Sequence, residues 1–276
     1  MMTILGIVYR VYNREYKKFH QIGLTVLKEF GFGSDVMETR IHRETEILFE
    51  NVDKLNGRHF HPLSMVTCFT MNILTGIIFG RRFEDSENSE FGKLFEVIET
   101  WVREHMPELD LLPALRHLPQ YRMKIEKLRR LDDKIFKYID DGIDAASKDK
   151  TAKNFASRFM EMEGESEKDR AELRYIIRDF LIAGTHASST AVQWALISLA
   201  NHPSVQERLR NEVDSVVQRE LPPSLNDKPS MPYAEATVLE LLRWKTLVAA
   251  PVHFCRHDTE IGGYFIPASS MVLSKK

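Results

Sequence analysis

Twenty-one consecutive uncharged residues, 180–200, constrain this chain more than any other feature. A helix that is apolar on every side must lie against other parts of the protein or in a membrane. Its polar residues gather in one place, at Thr185, His186, Ser188, Ser189 and Thr190. Ala183, Ala187 and Ala191 recur at every fourth position beside Gly184, which leaves room for a flat or bulky neighbour. We predict a central buried helix, whose hydroxyl groups could also be those of an ordinary all-α core.

The same stretch is long enough to cross a bilayer. His186, Gln193 and five hydroxyl groups argue against a membrane span, and so do flanks typical of a soluble helix. A second uncharged stretch, residues 63–80, also carries hydroxyl and amide side chains. Residues 1–9 are apolar over too short a run for a signal peptide or an anchor. We therefore predict two buried helices, no membrane span and no targeting segment in this chain.

Composition indicates a globular protein. The 276 residues are 43% hydrophobic and 28% charged, with a formal net charge of -2. This balance is typical of folded domains, and the net charge does not indicate a positively charged surface for binding a nucleic acid. Cys68 and Cys255 lie too far apart in sequence to form a CxxC metal site or a disulfide framework.

The pattern along the chain predicts a mainly α fold with a small β region. Helices are predicted over residues 9–30, 37–54, 61–80, 91–103, 121–146, 180–200, 203–217 and 232–244, with a short one inside 145–168. A polar loop is predicted at 81–89 and a proline-broken connector at 111–119. Strand-type residues lie at 252–254, around the turn signal Gly262-Gly263, and from Met271 onward. We interpret residues 1–276 as a single, incomplete domain.

Glu240 and Arg243 lie three residues apart and therefore share one face of their predicted helix. Apolar residues surround them, and Val238, Leu239 and Leu242 are among these. We predict that the two charges form a buried pair, which must be completed by hydrogen bonds to offset the cost of desolvation. An exposed surface pair is the alternative.

Three stretches together resemble the cytochrome P-450 family of haem-thiolate monooxygenases. Ala183-Gly-Thr-His-Ala-Ser188 resembles the family's central-helix signature, (Ala/Gly)-Gly-x-(Asp/Glu)-Thr-(Thr/Ser), and Glu240-Leu-Leu-Arg243 resembles its Glu-x-x-Arg motif. Pro251-Val-His253 and the segment from Asp258 to Pro267 look like the region after that motif in microsomal members. Lys28-Glu-Phe-Gly-Phe-Gly33 resembles the end of an early helix of the family. The resemblance follows the family order over nearly the whole chain.

The resemblance implies a partial P-450 fold with haem as cofactor. Ala183, Gly184 and Ala187 would lie where the central helix crosses the haem face and oxygen binds. His253 would donate a hydrogen bond to a haem propionate, the alternative being a surface histidine. Glu240 and Arg243 would hold the core on the haem side. The implied partners are an apolar organic substrate, molecular oxygen and a reductase, at the cytoplasmic face of the endoplasmic reticulum membrane for a full-length member.

Several positions depart from the family pattern. His186 replaces the acid of the central signature and Ala187 replaces its hydroxyl residue, so a proton relay would use Ser188, His186 or water. Tyr16 and His20 take the places of the early-helix Trp-x-x-x-Arg pair, which weakens a second propionate contact. The loop that carries the cysteine ligand, Phe-x-x-Gly-x-Arg-x-Cys-x-Gly, is absent. Cys255 is not assigned as a ligand of the iron. We expect the middle of a monooxygenase without its amino-terminal anchor and its ligand loop.

Two functions follow as hypotheses. The first is a haem-dependent monooxygenase, an oxidoreductase, present here as a fragment that is inactive alone. The second is a catalytically inactive helical protein derived from the same fold, which binds a hydrophobic ligand or a protein partner. Ala187 and the absent ligand loop favour the second, whereas the Glu240–Arg243 motif and His253 favour the first.

Overall fold

The computed structural model describes residues 6–8, 10–82, 90–106, 108–109, 112–148, 154–217, 221–247 and 252–273. The apolar start at 1–5 and 9, most of the polar loop at 83–89, residue 111 of the connector and Pro251 of the resemblance lie outside these ranges. The chain divides into two compact units, Met1–Ser189 (unit 1) and Thr190–Lys276 (unit 2), with the boundary inside one helix. That residues 1–276 form one domain stays a prediction.

The predicted fold class, mainly α with a small β region, is confirmed. The helices are α1 (Arg14–Glu29), α2 (Asp35–Asp53), α3 (Leu63–Ile78), α4 (Glu90–Glu104), α5 (Pro119–Lys148), α6 (Phe155–Glu163), α7 (Glu167–Asn201), α8 (Pro203–Val216) and α9 (Pro232–Trp244). Short 3-10 helices span Pro113–His117 and Leu225–Ser230. The strands are β1 (Val252–Phe254), β2 (Thr259–Ile261), β3 (Tyr264–Ile266) and β4 (Met271–Leu273).

Local chemistry explains where several helices begin. Asn13 caps α1 by accepting a hydrogen bond from the backbone N–H of Tyr16 at 2.8 Å, and Asn154 caps α6 in the same way through Ser157. Pro203 and Pro232 stand in the first turns of α8 and α9, where the missing N–H costs nothing. The starts of α8 and α9 agree with their predictions, whereas α1 begins at Arg14 rather than at residue 9, because Asn13 caps it there.

Unit 1 holds the hydrophobic core. Helix α5 packs against α4 and α6, α2 packs against α3, and α6 also contacts α1 and α3. The core residues Ile135, Phe155 and Phe159 are fully buried. Helix α7 joins this core through Leu173 and Ile177, which are also fully buried.

Unit 2 carries the sheet residues in two antiparallel ribbons. β2 and β3 form a hairpin in which Ile261 pairs with Tyr264. Its turn uses Gly262 and Gly263, both at positive φ, as a tight two-residue hairpin turn requires. β1 pairs with β4, so that His253 lies opposite Val272.

Helix α7 differs from its prediction in length and in burial. It begins at Glu167 rather than near 180, because Leu173, Ile176 and Ile177 give its charged first turns a buried apolar side. Toward its other end Leu196 and Ile197 are nearly half exposed. The prediction of burial on every side is therefore wrong for this end, because the described elements of unit 2 cover only part of its surface. Among the described residues no helix is long and apolar enough to cross a lipid bilayer.

Candidate functional site

The first half of α7 carries buried charges that hold an early segment of the chain. Arg10 reaches both carboxylate oxygens of Glu172 at 2.6 Å, and the two side chains are only 3% and 2% exposed. The backbone N–H groups of Ile7 and Val8 donate to Asp179 Oδ2 at 2.8 and 3.0 Å. Gly6 adopts a φ of +83° beside the same carboxylate, a conformation that favours glycine. Two acids of one helix therefore fix the backbone that precedes α1.

Sequence reasoning missed this cluster, although a signal was present. Glu172, Ile176 and Asp179 are spaced at i, i+4 and i+7 and so share one side of the helix with buried apolar residues. Acids on a buried stripe need partners, and a buried arginine is the usual one. Arg178 completes the cluster, with Nη2 3.2 Å from Asp179 and Nη1 3.4 Å from Asp132.

The next turns of α7 contain the predicted haem-facing residues. Ala183, His186 and Ser188 are exposed, and Ala187 is half-buried. Ala183, His186 and Ala187 are spaced so that they lie on one side of the helix. A small-residue surface beside one imidazole is thus present in this part of unit 1. The roles of His186 and Ser188 in proton transfer stay predictions.

Gly184 lies against a neighbouring helix. A methyl group at its Cα would come within 2.7 Å of Leu74 Cδ1 of α3, a distance that requires the leucine to move. The glycine thus permits close packing of α7 on α3 within unit 1. Its predicted haem contact stays a prediction, and the structure supplies this separate packing reason.

The hydroxyl groups of this stretch divide by burial. Thr185 is fully buried, and its Oγ1 has no hydrogen-bond partner among the described residues. Ser189 is buried and its Oγ donates to the carbonyl oxygen of His186 at 3.2 Å. Only Ser188 of these three presents its hydroxyl on an exposed residue, so it is the residue available to a bound molecule.

Tyr16 and His20 come together on α1. Their rings stack with centroids 5.5 Å apart and planes 20° from parallel. Tyr16 is half-buried and His20 is exposed, so the imidazole edge is accessible as a hydrogen-bond donor. Their predicted role at a propionate stays a prediction.

Glu240 and Arg243 form the predicted pair, but not in the interior. Arg243 Nε and Nη2 each lie 2.6 Å from a Glu240 carboxylate oxygen, while the side chains are 72% and 60% exposed for Arg243 and Glu240. The hydrogen bond from Arg243 lowers the pKa of Glu240 below its usual range. The prediction of burial is wrong here, because no residue of α9 is buried and the apolar neighbours Val238, Leu239 and Leu242 are exposed as well.

His253 and Cys255 belong to unit 2, whereas Cys68 belongs to unit 1. His253 is exposed on β1. Cys255 is half-buried in the turn after β1, where its backbone exchanges hydrogen bonds with Ser269 and Ser270. Cys68 lies on α3 and lines a cavity of about 540 Å³ in unit 1, together with Glu44 and Arg82. The Glu44 carboxylate in that wall is buried and pairs with Arg82 at 3.0 Å.

Comparison with known proteins decides the family. Residues 5–274 match the model of the Cytochrome P450 family. The chain belongs to the cytochrome P450 family. It is 29% identical to cytochrome P450 2U1 of Rattus norvegicus, over 97% of this chain and 53% of the relative.

Two other P450 relatives give the same picture. Cytochrome P450 2E1 of Mesocricetus auratus is 29% identical over 94% of this chain and 55% of its own length. Cytochrome P450 2H1 of Gallus gallus is 29% identical over 93% and 54%. The chain therefore spans about half the length of the curated relatives it matches.

Haem is the cofactor that P450 membership implies, and the described residues fit it in part. The small side chains of the exposed Ala183 and the half-buried Ala187 leave space for a flat group against α7, and His186 borders this surface. The thiolate that P450 proteins place on the iron is not matched by either cysteine. Cys68 faces a different cavity, beside Glu44 and Arg82, and the backbone around Cys255 is tied into a strand turn.

Proposed function

We propose that this chain is the central part of a haem-dependent monooxygenase that oxidises an apolar organic substrate, using molecular oxygen and electrons from a reductase. The observation that carries the proposal is the small-residue side of α7 at the exposed Ala183 and the half-buried Ala187, within the P450 central-helix signature. When held by a cysteine thiolate, haem supplies the activation of molecular oxygen. For a full-length member we place this activity at the cytoplasmic face of the endoplasmic reticulum membrane.

In this proposal the candidate site residues have separate roles. Ala183 and Ala187 leave the space that the macrocycle occupies, and larger side chains would exclude it. His186 and Ser188, both exposed, hold or pass protons where other P450 members use an acid and a hydroxyl residue. His253 and His20 each donate a hydrogen bond to a propionate. Glu240 and Arg243 act as a structural ion pair.

Haem uptake by the purified chain tests the proposed surface. Haemin is titrated into the unmutated chain, Ala183→Phe and Ala200→Phe, and binding is followed by the Soret absorbance. We expect a phenyl ring at position 183 to weaken binding at least tenfold, because it fills the space that the flat ring needs. Ala200 is exposed on the same helix but outside the signature, so Ala200→Phe should bind as the unmutated chain does.

The result also separates the two candidate functions. Equal haemin binding by all three proteins, or no haemin binding by any of them, contradicts a haem surface at Ala183. Binding of an apolar fluorescent probe that is lost in Ala183→Phe, with no haemin uptake, favours the alternative, an inactive P450-derived protein that binds a hydrophobic ligand. The absence of a hydroxyl at Ala187 is the residue-level observation in favour of that alternative.

A further inference from the structure

The cavity of about 540 Å³ in unit 1 lies among α2, α3 and α4. Two of these helices line it with residues spaced at i, i+3, i+4 and i+7, which share one side of a helix. They are Glu44, Ile47, Leu48 and Asn51 of α2, and Gly92, Phe95, Glu96 and Glu99 of α4. Such a side ordinarily packs against neighbouring side chains, but here two of them line a cavity. The space between them is large enough to receive a small organic molecule.

The walls of this cavity combine apolar and aromatic side chains with a few polar groups. Ile47, Leu48 and Met65 provide aliphatic surface, and Phe69 and Phe95 provide two aromatic rings. All five residues are half-buried. Pockets for small organic molecules are lined in this way, with apolar walls and a small number of polar groups that select the ligand. The described lining residues all lie within 44–99, so none of them belongs to the α7 signature.

The charged groups of the cavity wall leave one negative charge unopposed. Glu44 pairs with Arg82 at 3.0 Å, and Glu99 pairs with Arg103 at 2.8 Å. Glu96 lines the same cavity and has no ion pair or hydrogen bond among the described residues. A molecule with one positive charge would therefore be favoured in this cavity. The aromatic rings in the wall favour a cation as well.

We propose that this cavity binds a small organic cation, an alkylamine or arylalkylamine whose ammonium group pairs with Glu96. The apolar body of the amine lies against the aliphatic and aromatic side chains of α2, α3 and α4. A neutral molecule of the same shape gains the apolar contacts alone, and an anion is repelled by the carboxylate. This binding goes beyond the proposed monooxygenase function and does not require haem.

Three probes with one apolar body and different charges test the proposal. Phenylbutylamine, phenylbutanol and phenylbutyrate are titrated into the purified 276-residue chain near neutral pH without haem, and binding is followed by ligand-observed NMR. We expect the amine to bind about three- to tenfold more tightly than the alcohol, because Glu96 is exposed and water screens its charge. The butyrate should bind more weakly than either.

Glu96→Gln should lower the affinity for the amine about threefold and leave that for the alcohol unchanged. Glu46→Gln is the matched control, because Glu46 is an exposed glutamate of α2 outside the cavity wall. It should bind all three probes as the unmutated chain does.

A second variant tests whether the amine occupies this cavity. Ser64 lines the cavity from α3, so the ring of Ser64→Phe should fill part of it and weaken the binding of the amine and the alcohol together. Ser204→Phe, on an exposed position of α8 in unit 2, should bind as the unmutated chain does. Circular dichroism checks that each variant is folded.

Three results would each overturn the proposal. The first is an alcohol that binds as tightly as the amine, or no binding of the amine at all. The second is equal affinity of Glu96→Gln and Glu46→Gln for the amine. The third is a folded Ser64→Phe chain that binds the amine as Ser204→Phe does. If Ser64→Phe does not fold, the comparison of the two glutamine variants decides alone.

Discussion

The Arg10–Glu172 pair joins residues 162 positions apart inside unit 1. The guanidinium also donates from Nε to the carbonyl oxygen of Gly6 at 3.0 Å and lies 4.8 Å from the centre of the Phe19 ring. Its charge is therefore compensated by the buried Glu172 carboxylate, by the exposed Glu15 carboxylate 3.4 Å from Nη1, and by a carbonyl and an aromatic face. Loss of the Glu172 carboxylate would leave a buried cation whose remaining counter-charge, Glu15, is 61% exposed to solvent.

Glu172→Gln is accordingly expected to lower the free energy of unfolding by about 3–5 kcal/mol. Glu99→Gln is the matched control, because Glu99 pairs with Arg103 at 2.8 Å on the surface, and its loss should cost about 0.5 kcal/mol or less. Urea unfolding followed by circular dichroism measures both. Similar losses for the two variants would contradict a buried, stabilising role for Glu172.

Asp132 should make stability depend on pH. Burial raises the pKa of its carboxyl above the usual range, although the charge of Arg178 opposes this rise. Because the folded state then holds the proton more tightly than the unfolded state, this contribution is present at low pH. It is lost as pH rises through the raised pKa.

Asp132→Asn removes that loss, since the amide stays neutral at every pH. The variant should be at least as stable as the unmutated chain near neutral pH, and the two should converge at pH values well below the carboxyl's usual pKa. Arg178 keeps a partner in Asp179, 3.2 Å away. Denaturant unfolding across this pH range checks the expectation, and a less stable Asn variant at neutral pH would refute it.

At the scale of elements, one close helix contact depends on a glycine. A methyl group at Gly142 of α5 would lie 2.6 Å from the Phe79 ring that follows α3, and Phe79 itself is buried. Gly142→Ala should therefore lower the free energy of unfolding by about 1–3 kcal/mol through overpacking, although alanine is the better helix former. Thermal unfolding measures the effect.

Gly23→Ala is the control for Gly142→Ala. The nearest atom to a methyl group at Gly23 would be Phe180 Cζ, 3.4 Å away, which is ordinary contact. There the better helix propensity of alanine should keep stability unchanged or raise it by up to about 1 kcal/mol. Equal destabilisation by both substitutions would mean that the Phe79 contact is not the cause.

Helix positions are predictable from the sequence where residues that start or end helices agree with the spacing of apolar residues. α9 was predicted at its observed bounds, since Pro232 opens it and an apolar run follows. The predicted α7 is too short, because that prediction rests on the absence of charge, whereas the charged first turns of the helix continue the same apolar stripe. The extent of an amphipathic helix is therefore better predicted from the spacing of its apolar residues than from a count of its charged residues.

Burial was the less predictable quantity. Apolar neighbours around Glu240 and Arg243 predicted an interior pair, yet these neighbours are exposed with it. An apolar pattern in the sequence predicts that a helix face packs against something, but it does not identify the element that covers that face. The same reason limits the candidate site, because the family signature locates Ala183 and Ala187 without fixing what lies opposite them.

For the whole molecule, the proposed monooxygenase activity depends on a thiolate ligand to the iron. Cys68 and Cys255 are the cysteines of the chain, and neither lies in a P450 ligand loop. We expect the purified 276-residue chain, supplied with haemin and reduced under carbon monoxide, not to give the long-wavelength band of a thiolate-ligated haem. It should not oxidise an apolar substrate either.

The contrary result has a specific control. A long-wavelength band that disappears in Cys255→Ser and persists in Cys68→Ser would assign the thiolate to Cys255. Such a band would contradict the proposal that this chain lacks its own ligand. Difference spectra of the three proteins, recorded at equal haem content, distinguish the outcomes.

The tether of the amino-terminal segment to α7 also sets an order of events during synthesis. Ile7 meets Asp179 across 172 positions, so a ribosome adding about 5–20 residues per second needs roughly ten to thirty seconds to supply the acceptor. Throughout that interval Arg10 lacks its partner Glu172, and the backbone N–H groups before α1 lack the Asp179 carboxylate that accepts their hydrogen bonds. The segment before α1 is thus among the last parts of unit 1 to become fixed during synthesis.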